Sequence, residues 1–364
     1  MTNNHETILY INLNTLEANF NFLKSKFPNG VKTIAVVKAF AYGLGDIEIS
    51  KHLEKLGVHA FWVADFEEGV KLRKEGITKP IIVANPGYRS LKTIIKYQLE
   101  PVIFNHRLLE LYVNCKEKIS IHLKFNTGMN RYGFETTDLK EILQILKNNP
   151  QLNIESVCSH LSSSNDPNKD DFSERQIERF KEVCKNIEDS LGINVPSHLM
   201  NSNGAMRFGA DYNEWVRLGI ALYGGLEHTN LKQIFSLKSV ISQIKFIKKS
   251  QSIGYQNSFI ANKDMQIAII PVGYADGLNR KLGNQNGQVF IKDKACRIIG
   301  DISMDSFIAD ISGVEAKEGQ EVTIFSPKYS VSKLANDLDT IPYEIMATLN
   351  RRIKRIYRKS KSKK

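Results

Sequence analysis

The 364-residue chain is 42% hydrophobic and 24% charged, which excludes global disorder and leaves room for two domains or one large barrel with an appendage. Its four cysteines are far apart and form no CxxC pair, so neither a zinc site nor a disulfide framework is indicated. No apolar run reaches the roughly 18 residues of a membrane span, and the N-terminus lacks a signal peptide's basic and apolar regions. We therefore expect a cytoplasmic protein with reduced thiols and no membrane contact.

The net charge of +11 is concentrated at the C-terminus. Residues 351–364 carry nine lysines and arginines, which leaves only +2 on the other 350 residues. A nucleic-acid-binding domain would spread its basic residues over a face. We therefore expect no nucleic acid partner and interpret this end as solvated and frayed, with residues 358–364 as a basic tail. Nucleic acid binding by the tail is the alternative.

Short β-branched runs alternate with amphipathic stretches through the first two thirds of the chain, the pattern of βα units around a parallel sheet. Four of the intervening helices are readable, at 47–56, 66–76, 139–147 and 172–191. The eight predicted strands are 33–37, 60–64, 80–85, 101–105, 119–125, 154–159, 195–200 and 215–222. Together they predict an α/β fold, a TIM-type (β/α)8 barrel over residues 10–233, with its active site at the carboxyl ends of the strands.

From about residue 234 strand-like runs follow one another with few helices between them, which predicts a mostly β domain over residues 234–357. Residues 1–9 could pack on this domain. The predicted strands are 241–247, 266–271, 289–292, 297–299, 307–311 and 321–325. No Gly/Pro/Ser-rich linker separates the two domains, so we expect them to pack together.

Lys38 ends the first barrel strand, beside a low-dielectric core and facing the mouth of the barrel. Desolvation lowers the pKa of such a lysine and makes it a Schiff-base nucleophile. By itself this signal is weak, because strand-terminal lysines are commonly surface residues whose charged end reaches solvent, and the following Gly43 and Gly45 are also typical of turns.

Polar residues follow the other strands as well, and the fold would bring them to one mouth. The loops after strands seven and eight form the phosphate site of many such barrels, and here they offer a hydroxyl and backbone amides. A phosphate together with an electrophile for lysine indicates pyridoxal phosphate. The residues at the strand ends are Lys124 to Arg131, His160, Asn201, Ser202, Arg217, Gly219 and Ile220.

Nine collinear segments resemble the successive motifs of the alanine racemase family and span residues 6–357. The resemblance implies a pyridoxal 5'-phosphate barrel followed by a β domain, working as a head-to-tail homodimer whose active sites use residues of both subunits. The segments are AVVKAFAYGLG, HLKFNTGMNRYGF, SHLSSSN, HLMNSNGA, VRLGIALYG, SIGYQNSF, PVGYADGLNR, GDISMDSF and IPYEIMATLNRRIKR.

The resemblance also implies roles for matching residues. Lys38 would bind the cofactor covalently and act as the acid/base on one face of the substrate, and Tyr255 of the partner subunit would act on the other face. Arg217 would face the pyridine nitrogen, with His160 and His198 as neighbours. The remaining matches are Tyr42, Ser202, Gly219, Ile220 and Tyr343 with the phosphate, Asn201 beside it, Arg131 with the phenolic oxygen and the substrate, Met304 with the substrate carboxylate, and Tyr274 and Tyr343 with the entrance.

Four positions depart from the family pattern. Phe40 and Leu44 replace the asparagine and histidine of the common Lys-Ala-Asn-Ala-Tyr-Gly-His-Gly motif, Asn126 replaces an aspartate, and Leu218 replaces a proline. In some members the lysine at position 124 is carbamylated and holds the neighbouring arginine. The alternative is an unmodified Lys124 with an anion or water beside Arg131.

The implied activity is the interconversion of L- and D-alanine, which supplies D-alanine for peptidoglycan. Racemisation removes the Cα proton from one face and returns one to the other, so two bases on opposite sides are the simplest solution. A guanidinium facing the pyridine nitrogen would leave it unprotonated and weaken the ring as an electron sink, which favours rapid reprotonation. A pocket walled by tyrosines prefers a methyl side chain, with serine as a secondary substrate.

Three alternatives belong to other functions. A racemase of another small amino acid would use the same residues. A fold-related amino acid decarboxylase would present an acidic partner for the pyridine nitrogen and a cysteine proton donor, where this chain has Arg217 and Tyr255. A pyridoxal phosphate carrier would lack the second domain.

Overall fold

A computed structural model describes residues 4–210 and 215–359, and these residues form two compact units. The barrel unit comprises Phe20–Phe40 and Asp46–Leu222, apart from residues 211–214. The β unit comprises the described residues of 1–19, 41–45 and 223–364. The predicted domain limits, 10–233 and 234–357, stay predictions.

The strands are β1 (Ile8–Asn12), β2 (Lys32–Val36), β3 (Ala60–Val63), β4 (Ile81–Val83), β5 (Glu100–Ile103), β6 (Ile119–Lys124), β7 (Leu152–Cys158), β8 (Ser197–His198), β9 (Trp215–Leu218), β10 (Phe235–Val240), β11 (Gln243–Ile247), β12 (Ser252–Ile253), β13 (Phe259–Ile260), β14 (Met265–Ile270), β15 (Gln288–Ile291), β16 (Lys294–Ile299), β17 (Phe307–Asp310), β18 (Glu321–Phe325) and β19 (Lys354–Arg358). The helices are α1 (Leu13–Lys24), α2 (Lys38–Tyr42), α3 (Asp46–Lys55), α4 (Phe66–Lys74), α5 (Leu91–Lys96), α6 (His106–Val113), α7 (Leu139–Lys147), α8 (Asp170–Leu191), α9 (Ser202–Phe208), α10 (Val331–Asp337) and α11 (Pro342–Ala347). None of the helices within the described ranges has both the length and the apolar character needed to cross a bilayer.

The barrel unit is built on eight parallel strands in the order β8-β7-β6-β5-β4-β3-β2-β9. The Arg217 N–H donates to the Met200 carbonyl at 3.0 Å, which joins the two ends of this order and nearly closes the barrel. Strands β3 and β4 are buried along their whole length, as expected for parallel strands covered on both sides.

The predicted α/β barrel followed by a mostly β domain is confirmed. All eight predicted barrel strands are present, although three are at most half as long as predicted: Ile81–Val83 instead of 80–85, Ser197–His198 instead of 195–200, and Trp215–Leu218 instead of 215–222. The four predicted helices correspond to α3, α4, α7 and α8. The hydrophobic period therefore identified these strands and helices, while their ends depend on hydrogen bonding that the period does not encode.

The β unit contains a nine-stranded sheet in the order β11-β14-β17-β16-β15-β18-β10-β1-β19. Neighbouring strands are antiparallel except β1 and β19, which are parallel. The sequence did not predict three of these strands, β1, β10 and β19. Strand β1 is the first element of the described residues, yet it lies between β10 and β19, so both of its partners are more than 220 positions away in the sequence.

The expectation of a frayed C-terminus is wrong for residues 351–358. Strand β19 pairs in register with β1, from Ile8 opposite Lys354 to Asn12 opposite Arg358. Arg352 donates to the carboxylates of Asp276 at 2.7 Å and Asp305 at 2.6 Å. Arg352 is therefore partnered within the β unit, a property that a charge count does not reveal. Residues 360–364 of the predicted tail lie outside the described residues.

Candidate active site

Lys38 lies where the site was predicted, directly after β2 at the carboxyl end of the barrel strand. Its side chain is exposed, and the residues around it nevertheless lower its pKa by partial burial and by the positive charges of Arg131 and Arg217. The next four residues, Ala39 to Tyr42, all have positive φ, between 50° and 58°. A left-handed turn costs roughly 1–2 kcal/mol per residue, so surrounding contacts must hold it.

The Glu68 carboxylate supplies one of these contacts. It accepts the Ala39 N–H at 2.7 Å through Oε1 and the Ala64 N–H at 2.8 Å through Oε2. Glu68 lies in the first turn of α4, whose N-cap Asp65 accepts the Glu68 N–H at 3.0 Å. One carboxylate therefore connects the ends of β2 and β3 next to Lys38. Its negative charge also raises the pKa of Lys38, against the other influences.

Arg217 is buried inside the barrel, with only 4% of its surface exposed. Its Nη1 donates to the His198 carbonyl at 2.6 Å and to His198 Nδ1 at 2.5 Å. Its Nη2 lies within hydrogen-bond distance of the carbonyls of Ser159 and Leu199, at 2.7 and 2.9 Å, and of His160 Nδ1, at 3.1 Å. A guanidinium can only donate hydrogen bonds. The acceptors named here are backbone carbonyls and imidazole nitrogens, and none of them is a carboxylate.

The two histidines around Arg217 are neutral. Burial, followed by the positive charge of Arg217, lowers the pKa of both His160 and His198 well below the usual value. Both rings therefore keep an unprotonated nitrogen toward the guanidinium. The predicted neighbourhood of Arg217, His160 and His198 is present in the barrel unit.

Lys124, Arg131 and Lys38 form a group of positive charges near Arg217. Burial is the main reason why the pKa of Lys124 falls to about 8, and Arg217, Arg131 and Lys38 lower it further, while Cys158 opposes the change. Arg131 is exposed in the loop after β6. The neutral amine of Lys124 is thus well populated just above neutral pH, which is the form that reacts with carbon dioxide.

Ser202 and Gly219 are in direct contact in the barrel unit. The Gly219 N–H donates to Ser202 Oγ at 3.0 Å, and Ser202 is buried. Asn201 is the N-cap of α9, where its Oδ1 accepts the Gly204 N–H at 2.9 Å and the Ser164 hydroxyl at 2.8 Å. The Ser202 hydroxyl and the Gly219 amide, both predicted to bind phosphate, therefore lie together. The next residue, Ile220, is buried.

Three aromatic rings meet inside the β unit. The centroid of Tyr42 lies 5.1 Å from that of Tyr223 and 5.8 Å from that of Tyr343. Burial raises the pKa of Tyr343 to about 12 and raises that of Tyr42 still more, with Tyr343 contributing to the latter. Both phenols consequently keep their protons and can donate hydrogen bonds. Tyr42 lies in a segment that β19 holds in place, since Tyr357 donates to the Leu44 carbonyl at 2.8 Å.

Tyr255, Tyr274 and Met304 lie on adjoining turns of the β unit. The Tyr274 N–H donates to the Ser303 carbonyl at 3.1 Å, and the Ala275 N–H donates to the Met304 carbonyl at 3.0 Å. All three side chains are exposed, Tyr255 by 69%, Met304 by 54% and Tyr274 by 43%. Large apolar side chains exposed together are typical of an interaction surface.

Structural contexts explain how the four departures from the family pattern are accommodated. Leu44 and Leu218 are buried, so apolar side chains suit these positions. The Phe40 ring lies 4.7 Å from Lys71 Nζ. Asn126 donates to Asn130 Oδ1 and to Glu135 Oε1, both at 2.9 Å, and its Oδ1 accepts two backbone N–H groups of its own loop. An amide can both donate and accept there, which an ionised aspartate cannot.

Two residues near the site were missed in the sequence. The Asp-x-x-Glu pattern of residues 65–68 is a capping signal that locates Glu68 in a helix start, but its bond to Ala39 requires the tertiary structure. The Trp62 ring lies 5.4 Å from the Arg217 guanidinium carbon and packs edge-on against His198 at 5.6 Å. A tryptophan within a predicted barrel strand could have signalled this contact.

Comparison with known proteins agrees with the fold and identifies the family. Residues 11–227 match the family model "Alanine racemase, N-terminal domain", and residues 234–357 match "Alanine racemase, C-terminal domain". Alanine racemase 2 of Caldanaerobacter subterraneus subsp. tengcongensis is 34% identical over 371 residues, covering 96% of this chain and 94% of that protein.

Solved structures of alanine racemases are also similar to this chain over nearly its whole length. Alanine racemase of Clostridium difficile 630 is similar with a TM-score of 0.90 and 29% identity, over 98% of this chain and 97% of that one. Alanine racemase from Bartonella henselae, with covalently bound pyridoxal phosphate, is similar with a TM-score of 0.88 and 29% identity, over 97% and 99% of the two chains. The predicted family, the enzyme class of amino acid racemase and the family's cofactor are therefore confirmed. The chain belongs to the alanine racemase family.

Proposed function

We propose that this protein interconverts L-alanine and D-alanine with pyridoxal 5'-phosphate by a two-base mechanism, in the cytoplasm, and supplies D-alanine for peptidoglycan. The observation that carries the proposal is Arg217, buried on uncharged acceptors and close enough to Lys38 for its charge to lower the pKa of that lysine. The proposed racemisation uses this pairing of an amine with a cation that cannot give up its proton.

The donor set in the barrel unit fits the cofactor. Lys38 offers an amine for an aldehyde, and Ser202 offers a hydroxyl for a phosphate. The Ile220 amide and the Gly219 amide, which in this structure donates to Ser202 Oγ, are the further proposed phosphate contacts. Arg217 offers N–H groups for a ring nitrogen. When bound to an amino acid, pyridoxal phosphate withdraws electrons from Cα and makes the Cα proton acidic. The phosphate-binding roles assigned to Tyr42 and Tyr343, and the role of Asn201 beside the phosphate, stay predictions.

Lys38 is the proposed base on one face of the substrate. A lysine must be neutral to accept a proton, and the lowered pKa of Lys38 increases its neutral fraction near physiological pH. Its exposed position at the end of β2 leaves the amine accessible to a substrate. Lys38 would therefore take the Cα proton from one enantiomer and return it to form the same one.

Arg217 would limit how strongly the cofactor holds the electrons released at Cα. Its guanidinium stays protonated, so a ring nitrogen beside it can only accept a hydrogen bond and keeps its own lone pair. The neutral histidines support this arrangement because their acceptor nitrogens hold the guanidinium. Weak electron withdrawal favours prompt return of the proton to Cα over side reactions.

Tyr255 of the partner subunit is the proposed base on the other face, in a homodimer with shared active sites. The exposure of Tyr255, Tyr274 and Met304 on adjoining turns supports a role for this surface in subunit contact. Met304 would contact the substrate carboxylate and Tyr274 would narrow the entrance, as the family resemblance implies. There the phenol would donate a proton and its phenolate would accept one, and racemisation in both directions requires both forms.

Alanine is the proposed preferred substrate, and serine is a slower one. A small pocket distinguishes side chains that differ by one group by only about 10- to 200-fold. Arg131 would contact the phenolic oxygen of the cofactor and the substrate. We also propose that Lys124 is carbamylated, since a carbamate would give Arg131 an anionic neighbour in this group of positive charges.

The direct test is a chiral assay of the purified protein with pyridoxal phosphate. L-Alanine should yield D-alanine, D-alanine should yield L-alanine, and L-serine should react more slowly. Borohydride reduction of the protein should attach the cofactor to the peptide that contains Lys38, and Lys38→Ala should abolish both racemisation and labelling. Release of carbon dioxide from the amino acid, or labelling of another lysine, would refute the proposal.

A further inference from the structure

Four hydrogen bonds connect Arg217 to a carboxylate at the opposite end of the barrel interior. Beyond the Arg217 contact with His198 Nδ1, His198 Nε2 lies 2.8 Å from Ser156 Oγ. Ser156 Oγ lies 2.6 Å from His122 Nδ1, and His122 Nε2 lies 3.0 Å from Glu100 Oε2. Ser156, His122 and His198 have no exposed surface, so the chain of contacts is shielded from solvent.

The chemistry of the groups allows only one direction for the protons. A guanidinium has no acceptor, so His198 Nδ1 must accept. Because burial and Arg217 lower the pKa of His198, its ring is neutral and carries its proton on Nε2, which donates to Ser156. The single hydroxyl proton of Ser156 then goes to His122 Nδ1.

The last link follows from the others. A ring nitrogen that accepts carries no proton, so the His122 ring proton is on Nε2 and is donated to the Glu100 carboxylate. A doubly protonated His122 would instead donate to Ser156 and leave the serine hydroxyl proton with no acceptor among the described residues. Both histidines are therefore Nε2–H tautomers. Each group in the series donates to the next one, from Arg217 to Glu100.

This series of four hydrogen bonds runs from the amino ends of the barrel strands to their carboxyl ends. Glu100 is the first residue of β5, at the amino end of the strand, and its side chain is 19% exposed. Arg217 reaches carbonyls that follow β7 and β8 at their carboxyl ends. His122 lies opposite Ser156 in the β6–β7 ladder. Hydrogen bonds aligned in one direction strengthen one another, and reversing one link would require reversing all of them.

We propose that Glu100, His122 and Ser156 are positioning residues that lock His198 as a hydrogen-bond acceptor and thereby hold the Arg217 guanidinium in place. The inference rests on the proposed role of Arg217 in racemisation. Its structural part, the tautomers of two histidines, is independent of which reaction the protein catalyses. Ser156 is the critical link because its one hydroxyl must accept from His198 and donate to His122.

The tautomers can be read directly by long-range ¹H–¹⁵N NMR of the holoenzyme labelled with ¹⁵N-histidine, with signals assigned through His122→Gln and His198→Gln. The expected wild-type pattern is a single Nε2–H tautomer for both rings. A proton on Nδ1 of either ring would overturn the proposal without any activity measurement. The wild-type racemase assay, run separately, shows whether the proposed function itself has failed.

Substitution of Ser156 tests the functional part. Ser156→Ala should lower kcat about tenfold, the size of loss typical when an orienting hydrogen bond behind a functional group is removed, with little change in KM. It should also abolish the single-tautomer pattern of His122. Ser156→Thr keeps the hydroxyl and should restore both properties.

Ser120→Ala is the matched control, because Ser120 lies on β6 two residues before His122 but donates to Glu155 at 2.8 Å and takes no part in these four hydrogen bonds. It should retain wild-type kcat and histidine signals. If Ser156→Ala also retains both, the proposal is wrong. Near-UV circular dichroism shows whether Ser156→Ala folds. If it does not, Ser156→Thr and the wild-type tautomers test the proposal instead. A folded Ser156→Thr that keeps wild-type kcat but loses the tautomer pattern would overturn the proposal.

Discussion

The Glu68 carboxylate accepts the backbone N–H of Ala39 at 2.7 Å, directly after the predicted catalytic lysine. Its second oxygen accepts the Ala64 N–H at 2.8 Å, so the carboxylate spans the ends of two neighbouring barrel strands. The left-handed turn begins at Ala39. One side chain thus stabilises a costly backbone turn and also acts electrostatically on the amine of Lys38.

Replacing Glu68 by Gln should change both effects. An amide has one acceptor oxygen, so one of the two N–H groups loses its partner, and we expect kcat to fall about tenfold. Because the negative charge of Glu68 raises the pKa of Lys38, its removal should shift the acid limb of the kcat/KM profile to lower pH. Glu67→Gln, at the exposed neighbouring position, is the control and should leave the profile in place. An acid limb that moves to higher pH would contradict the assignment.

Acid should destabilise the protein through its buried neutral histidines. The pKa values of His160 and His198 lie well below 6.5 in the folded chain, whereas the unfolded histidines take up protons as the pH falls through 6.5. The unfolded state then binds more protons, so the free energy of unfolding should fall by about 1.4 kcal/mol per pH unit for each histidine below pH 6.5. Urea unfolding at several pH values measures this slope. The His160→Gln variant should lose one histidine's share of it, and an unchanged slope would show that His160 is protonated in the folded chain.

Carbamylation of Lys124 should depend on pH in the direction set by its pKa of about 8, which burial lowers. Only the neutral amine reacts with carbon dioxide, and that form is about 1% of the total at pH 6 and half at pH 8. Incubation with ¹³C-bicarbonate should therefore give a carbamate signal in ¹³C NMR that grows steeply between these values. Lys124→Arg should abolish the signal, and a signal that persists in this variant belongs to another residue.

Shared active sites predict recovery of activity when two inactive variants are mixed. Homodimers of Lys38→Ala and of Tyr255→Phe should each be nearly inactive. After the two are unfolded, mixed in equal amounts and refolded, half of the dimers are mixed, and one of the two sites in each mixed dimer contains both residues. D-Alanine formation should therefore recover to about one quarter of that of refolded wild type. If Tyr255 acts within its own chain, the mixture stays near the sum of the two variants.

Much of the architecture follows from the sequence alone. The β-branched runs that form β2 to β9 alternate with amphipathic helices. Few folds other than a parallel α/β fold fit this pattern, because parallel strands are buried on both faces. The same pattern predicts that Lys38 follows the first barrel strand and that Arg217 lies in the last one. The family motifs supplied the proposed roles of these residues, which periodicity does not encode.

Other features depend on partners that are distant in sequence. Strand β19 resembles a charged tail until it pairs with β1, more than 340 positions away. Arg352 finds a carboxylate and Arg355 a carbonyl only in the folded β unit. Nothing near Glu68 in the sequence indicates that its carboxylate binds the Ala39 amide. The contacts among His122, Ser156 and His198 join three strands. Hydrophobic periodicity assigns a residue to a face of a strand or helix, whereas a hydrogen bond requires atoms within about 3 Å and aligned, and only the tertiary structure brings residues from different strands to that distance.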